Sequence, residues 1–139
     1  MEHAPATEGT LSVRVVTPEG VLYKGDASFV AAPGSEGELG VLPSHTPLLS
    51  SLGAGVLRID PKDGGSPVRF AIRGGFLQVV HDTVTLLVTE ALAPEQVDVA
   101  ALAAERTELL KKLQHPESDE AFAALREQRR WLEARERLG

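Results

Sequence analysis

From Leu11 to about Thr89, apolar and polar positions alternate with a period of two. Leu11, Val13 and Val15 are interleaved with Ser12 and Arg14, as in a strand with one buried face. Pro18-Glu19-Gly20 closes that run as a turn. Val21-Leu22-Tyr23 and Ser28-Phe29-Val30-Ala31 follow, and Pro33-Gly34 breaks the chain again. Further strands are predicted over residues 55–59, 68–73, 75–80 and 83–89. Asp63-Gly64-Gly65 and His81-Asp82 stand between them at hairpin spacing. Many short strands at regular spacing predict a β-sandwich or barrel.

Pro94 changes the period. Ala93-Pro94-Glu95-Gln96 places Pro at the first helical position with an acid in the first turn, both favourable helix starts. Leu102, Leu109 and Leu113 recur at helical spacing, and residues 94–114 hold no Gly and no internal Pro. Gln114-His115-Pro116-Glu117 stops this helix. Ser118 is a fair N-cap for the next, with Asp119 and Glu120 in its first turn. The second helix aligns Ala121, Ala124, Leu125, Trp131, Leu132 and Leu138 near one stripe. Two amphipathic helices joined by a short turn predict an antiparallel hairpin. The expected division is 1–93 for the strand domain and 94–139 for the helical hairpin.

Composition narrows the functional classes. The 139 residues are 42% apolar, enough for a packed core. The net charge of −6 repels phosphate backbones and anionic lipid head groups, so nucleic acid and direct lipid insertion are not expected. No apolar run approaches the roughly 20 residues that span a bilayer. Residues 1–10 resemble neither a signal nor a transit peptide, and a soluble cytoplasmic protein is expected. With no Cys there is neither a disulfide framework nor a thiolate metal site. His45 has no second His at ligand spacing, so no metal is expected.

The most distinctive stretch is Gly37-Glu38-Leu39-Gly40-Val41-Leu42-Pro43-Ser44-His45-Thr46-Pro47-Leu48-Leu49. Its density of Gly and Pro is incompatible with a regular helix or a central strand. It reads as a loop pinned by apolar anchors that presents Glu38 and His45 outward, and such loops carry binding surfaces. The stretch closely resembles the signature loop of ATP synthase epsilon subunits. Thr17-Pro18-Glu19 before Val21-Leu22-Tyr23 looks like that family's opening hairpin, and Arg73-Gly74-Gly75-Phe76-Leu77-Gln78-Val79 looks like its Gly-Gly strand pair. Three separated motifs agree in order and spacing, and the likeness covers roughly residues 10–138.

The resemblance implies an all-β sandwich domain followed by a two-helix antiparallel hairpin. It also implies a non-catalytic central-stalk rotor subunit of a proton-translocating F-type ATP synthase. Such a subunit is a peripheral membrane protein on the cytoplasmic side of the bacterial inner membrane. The implied partners are the gamma subunit, the c-ring and the catalytic alpha and beta subunits. The hairpin would fold against the sandwich, or extend along gamma and inhibit ATP hydrolysis. By position, Glu38 and His45 match the residues that meet the c-ring.

Arg126, Arg129, Arg130, Arg135 and Arg137 admit two readings. They are balanced by Asp119, Glu120, Glu127, Glu133 and Glu136, as in a solvated, salt-bridged face. The resemblance instead makes them an arm that meets the catalytic subunits. Some family members bind ATP through an (Ile/Leu)-Asp-x-x-Arg-Ala motif, matched here by Val97-Asp98-Val99-Ala100-Ala101-Leu102. Asp98 is retained, but Ala101 replaces the Arg and with it a charged hydrogen bond worth about 1.5–3 kcal/mol. Asp98 and Arg126 therefore make at most a weak ATP site, and no cofactor is expected. The competing reading is a free-standing nucleotide-sensing module on the same scaffold. Glu36 and Glu38 lack a nearby nucleophile or apolar pocket, Gly34-Ser35-Glu36-Gly37 lacks a P-loop ending, and Ser44-His45 lacks a nucleophile elbow. No enzymatic activity is expected.

Overall fold

The computed structural model describes residues 9–44, 46–114 and 117–138. Six strands come first: β1 (Leu11–Thr17), β2 (Gly20–Gly34), β3 (Gly37–Val41), β4 (Leu48–Pro61), β5 (Val68–Val80) and β6 (Thr83–Leu92). A single 3-10 turn (Pro94–Gln96) leads to α1 (Val99–Gln114) and α2 (Asp119–Leu138). The strand order is β1-β6-β5-β4-β2-β3, and β1 also pairs with β2. Five strands therefore close on themselves, and β3 is left at the edge of β2. The β1–β6 pairing is parallel, whereas β1–β2, β2–β3, β2–β4, β4–β5 and β5–β6 are antiparallel.

The long strands serve two layers by changing which parity faces the core. In β5, Phe70 and Ile72 point inward first, and Leu77 and Val79 do so afterwards. Strict alternation forbids that change. Gly74 and Gly75 make it possible at φ values of 73° and 129°, a region costly for residues with a Cβ. In β4 the inward set passes from Leu52 to Leu57 and Ile59, and in β2 from Ala27 to Val30 and Ala32. The β2 change coincides with a register shift between Ala27 and Phe29. The core sits between the layers, with Leu11, Leu57, Ile59, Ile72, Leu77 and Leu86 fully buried.

Several expected strands merge. Val21-Tyr23 and Ser28-Ala31 belong to one strand, as do the segments on either side of Gly74, because the corners bend the ladder without ending it. His81 and Asp82 form the expected two-residue hairpin turn. Both have positive φ (49° and 57°), and Val80 pairs with Thr83.

The expected loop over Gly37–Leu49 begins as a strand. Gly37–Val41 pairs with Val30–Gly34 as the sheet edge, a place that tolerates Gly. Beyond it, Ser44 adopts φ 67° and its N–H donates to Asp82 Oδ1 at 2.6 Å. Val41 and Leu48 supply the apolar anchors.

The first helix also starts later than expected. Gln96 Oε1 accepts the Ala93 N–H at 2.8 Å and closes the 3-10 turn. The backbone is then extended at Val97, and α1 restarts with the Ala101 N–H bonded to Asp98 Oδ1 at 3.2 Å. Ser118 caps α2 as expected, its Oγ accepting the Ala121 N–H at 3.0 Å.

A Gly75→Ala substitution tests the corner. The added Cβ would lie 2.0 Å from the Leu87 carbonyl oxygen, at a φ of 129°. Denaturant unfolding should show a loss of about 3 kcal/mol or more.

Candidate interaction surfaces

Closing the strands into two layers creates two outer faces with different fates. On one face, α2 seats Trp131, Ala134 and Leu138 against Ala71, with Ala54, Val56, Leu92 and Val97 around them. The alanines on β4 and β5 let the helix approach closely. Leu102, Leu109 and Leu132 pack α1 on α2. The hairpin is thus antiparallel and folded down. Its buried stripe is shorter than the periodicity predicts: Ala124 is exposed, and the seat lies in the last two turns of α2.

Arginines guard this seat. The Arg135 guanidinium lies 5.0 Å from the centre of the Trp131 ring and the Arg73 guanidinium 5.9 Å, within range of a favourable cation–π contact. Arg135 also grips Glu105 of α1 in a two-pronged pair at 2.6 and 2.9 Å. Arg106 meets Glu136 at 3.3 Å. The sequence pattern marks Trp131 as buried but does not reveal its contact with Arg73 or the Arg135–Glu105 pair, because these join residues far apart in the chain. Among the described residues, no three His, Asp or Glu side chains converge as a metal site would require.

The other outer face is bare and apolar. Phe76 lies opposite Leu87, Leu87 opposite Val16, and Val16 opposite Val21. These directly paired residues form one row across β5, β6, β1 and β2. Phe76 is 56% exposed, Leu87 53% and Val21 54%. Leu49, 72% exposed, lies one strand further on, two residues from Ser51, which is paired with Phe76. A connected apolar row on an exposed sheet face marks a place for a partner. Sequence periodicity did not single it out, because register alone brings these four residues side by side.

The residues selected from the sequence fall in three places. Glu38 is exposed on β3, at the foot of the β2–β3 turn. His45 lies outside the described residues. Arg129 pairs with Glu133 at 3.8 Å and Arg130 with Glu127 at 3.7 Å, as the solvated-face reading expects. Arg126 stacks 5.9 Å from the centre of the Phe122 ring.

Asp98 and Arg126 do not form one site in this arrangement. The Glu105–Arg135 and Arg106–Glu136 pairs set the antiparallel register. They put Arg126 level with the end of α1, roughly 24 Å along the helix from Asp98 at its start. Asp98 is moreover occupied in capping α1.

A small strand domain that closes one outer face with a helical hairpin and offers the other to a partner is a surface-binding subunit. The profile of the ATP synthase Delta/Epsilon chain β-sandwich domain matches residues 10–94, and the chain belongs to the ATP synthase epsilon chain family. It is 39% identical over 124 residues to the ATP synthase epsilon chain of Syntrophomonas wolfei, covering 88% of this chain and 90% of that one. It is 39% identical over 107 residues to that of Pelotomaculum thermopropionicum, covering 77% and 78%.

Among solved structures, the chain is similar to a chain in the OSCP/F1/c-ring assembly of Euglena gracilis mitochondrial ATP synthase. The TM-score is 0.81 at 22% identity, over 93% of this chain and 81% of that one. A chain in the central stalk/c-ring of Tetrahymena thermophila mitochondrial ATP synthase matches with a TM-score of 0.66 at 18% identity, over 91% and 94%. These two likenesses extend the shared fold into the hairpin. No helix among the described residues is long and apolar enough to cross a membrane.

A Trp131→Ala variant tests the seat. The sandwich should keep its cooperative melt, while docking of the hairpin weakens by about 2–4 kcal/mol. Amide exchange should accelerate in α2 and leave β5 and β6 protected.

Proposed function

We propose that the chain is a non-catalytic rotor subunit of the central stalk of a proton-translocating F-type ATP synthase, on the cytoplasmic side of the bacterial inner membrane. In this reading the sandwich binds gamma and rests on the c-ring, so that rotation passes between them. The observation that carries the proposal is the bare row Phe76-Leu87-Val16-Val21, on a chain whose family is that of the epsilon subunits. Gamma takes that row, which burial of its apolar side chains favours. Glu38, with His45, contributes the polar contact to the c-ring.

Replacing Phe76 and Leu87 together with Asp tests this reading. Both side chains are more than half exposed, so the isolated domain should keep its stability to within about 0.5 kcal/mol per site. Its affinity for gamma should fall by at least about 100-fold, since each buried aliphatic or aromatic side chain is worth about 1.5–3 kcal/mol. Undiminished binding in a titration with purified gamma would overturn the assignment.

The hairpin is the proposed regulatory element. Folded down, it buries Trp131; extended, it would carry Arg126, Arg129 and Arg130 to the alpha and beta subunits and slow ATP hydrolysis. A ligand shifts such an equilibrium only by its differential affinity for the two states. Here Ala101 offers no side-chain hydrogen bond, Asp98 caps a helix, and Arg135 is held by Glu105. Millimolar ATP is therefore expected to leave the docked fraction nearly unchanged, whereas deleting residues 94–139 should raise the ATPase rate of the assembled enzyme. Micromolar ATP affinity by calorimetry, or an unchanged rate after the deletion, would refute this part.

A further inference from the structure

A groove of about 420 Å³ runs between α2 and the β2–β3 turn. On one side it is lined by Arg130 and Arg137 of α2, and on the other by Glu36 and Glu38. Its floor is backbone, from Gly34 and Gly53 among others. The carboxylates project from a rigid mount. Ser35 N–H donates to the Ser51 carbonyl oxygen at 3.0 Å, and the two hydroxyls meet at 2.5 Å. The arginines are one heptad apart on one face of α2, the spacing that keeps both over the same groove.

The charges around this groove are unequally committed. Arg130 is shared with Glu127 at 3.7 Å, Glu133 with Arg129 at 3.8 Å, and Glu136 with Arg106 at 3.3 Å. Among the described residues, the side chains of Arg137, Glu36 and Glu38 form neither an ion pair nor a hydrogen bond. The groove thus brings one uncommitted cation and a half-committed one to face two uncommitted anions. A small anion would meet four carboxylates there, because Glu133 and Glu136 border the adjoining space with Arg130 and Arg137. The groove is therefore poorly suited to a phosphate and well suited to attraction between its own walls.

We propose that the acidic β2–β3 turn is an electrostatic clasp for the hairpin, with Glu36 and Glu38 drawing Arg137, and secondarily Arg130, so that α2 is held on the sandwich. The clasp adds to the Trp131 seat from the opposite flank to Arg135. It also makes the turn and the hairpin thermodynamically linked: whatever neutralises the turn loosens the arm, and undocking the arm frees the turn. The clasp concerns the folded state of the subunit alone and stands independently of its place in a rotor.

Trp131 is the single tryptophan of the chain and is 7% exposed in the seat, so its quenching by acrylamide reports docking in the full chain. Glu36→Lys with Glu38→Lys should raise the quenching constant several-fold and speed amide exchange in α2, with the sandwich melt unchanged. Arg137→Glu alone should do the same. Combining the three substitutions restores opposite charges and should return quenching towards that of the parent. Glu36→Gln with Glu38→Gln, a milder change at exposed positions, should give an intermediate increase and flatten the dependence of docking on NaCl, since exposed charges are screened within roughly 8 Å at 0.15 M salt. Unchanged quenching in the Lys and Gln variants, or purely additive effects in the combined variant, would overturn the proposal.

Discussion

Everything in this molecule follows from the need of a few long strands to face the core from both layers. A strand whose side chains alternate strictly can serve only one layer. Gly74 and Gly75 in β5, and the shift near Ala27 in β2, break the alternation without breaking the hydrogen-bonded ladder. The result is a closed wall with two outer faces in place of one flat sheet. Because the β5 corner lies midway along the strand, Ala71 before it faces α2, while Phe76 after it faces outward on the other layer. A single backbone feature thus sets both the seat of the hairpin and the bare row.

The two faces are chemically distinct for the same reason. The α2 face is built from small residues, Ala54 and Ala71, over which a helix can settle and bury one large ring. The opposite face carries Phe76, Leu87 and Val21, large side chains standing on a pleated surface without a cover. A helix of this chain cannot serve both faces at once. The hairpin covers the face where helix and sheet approach closely, and the bulky row is available to another protein.

Much of this architecture is legible in the sequence, and the failures have physical causes. Period-two alternation and the Pro94 break place the strand domain and the hairpin, and Ser118 marks the start of α2. The strand boundary expected at Gly74 is a corner, because Gly-Gly permits a change of face as readily as a chain reversal. β3 is hidden in a segment dense in Gly and Pro, since its evidence is pairing with residues 30–34 and nothing in its own composition. Asp98 shows how a motif and local geometry give one residue two roles: the motif aligns it with a ligand contact, and in the fold it caps α1. The Glu105–Arg135 pair and the row of Val16, Val21, Phe76 and Leu87 depend on register between distant segments, which no local pattern encodes.

The energy scale of the hairpin's attachment is small. Its seat on the sheet consists chiefly of Trp131 and Leu138, with Ala134 between them. Burial of such large side chains contributes about 1.5–3 kcal/mol each, and ordering the arm offsets part of that. Among the described residues no ion pair joins the hairpin to the sheet, and the Arg73–Trp131 cation–π contact adds roughly 0.5–2 kcal/mol. The net attachment is therefore a few kcal/mol, far below what would lock two domains together. A partner surface that gains a comparable amount from the undocked helices is enough to displace the arm. The sandwich has its own closed core of Leu11, Leu57, Ile59, Ile72 and Leu77, to which the hairpin contributes no residue. The fold thereby joins a platform with a core of its own to a hairpin seated through a few side chains.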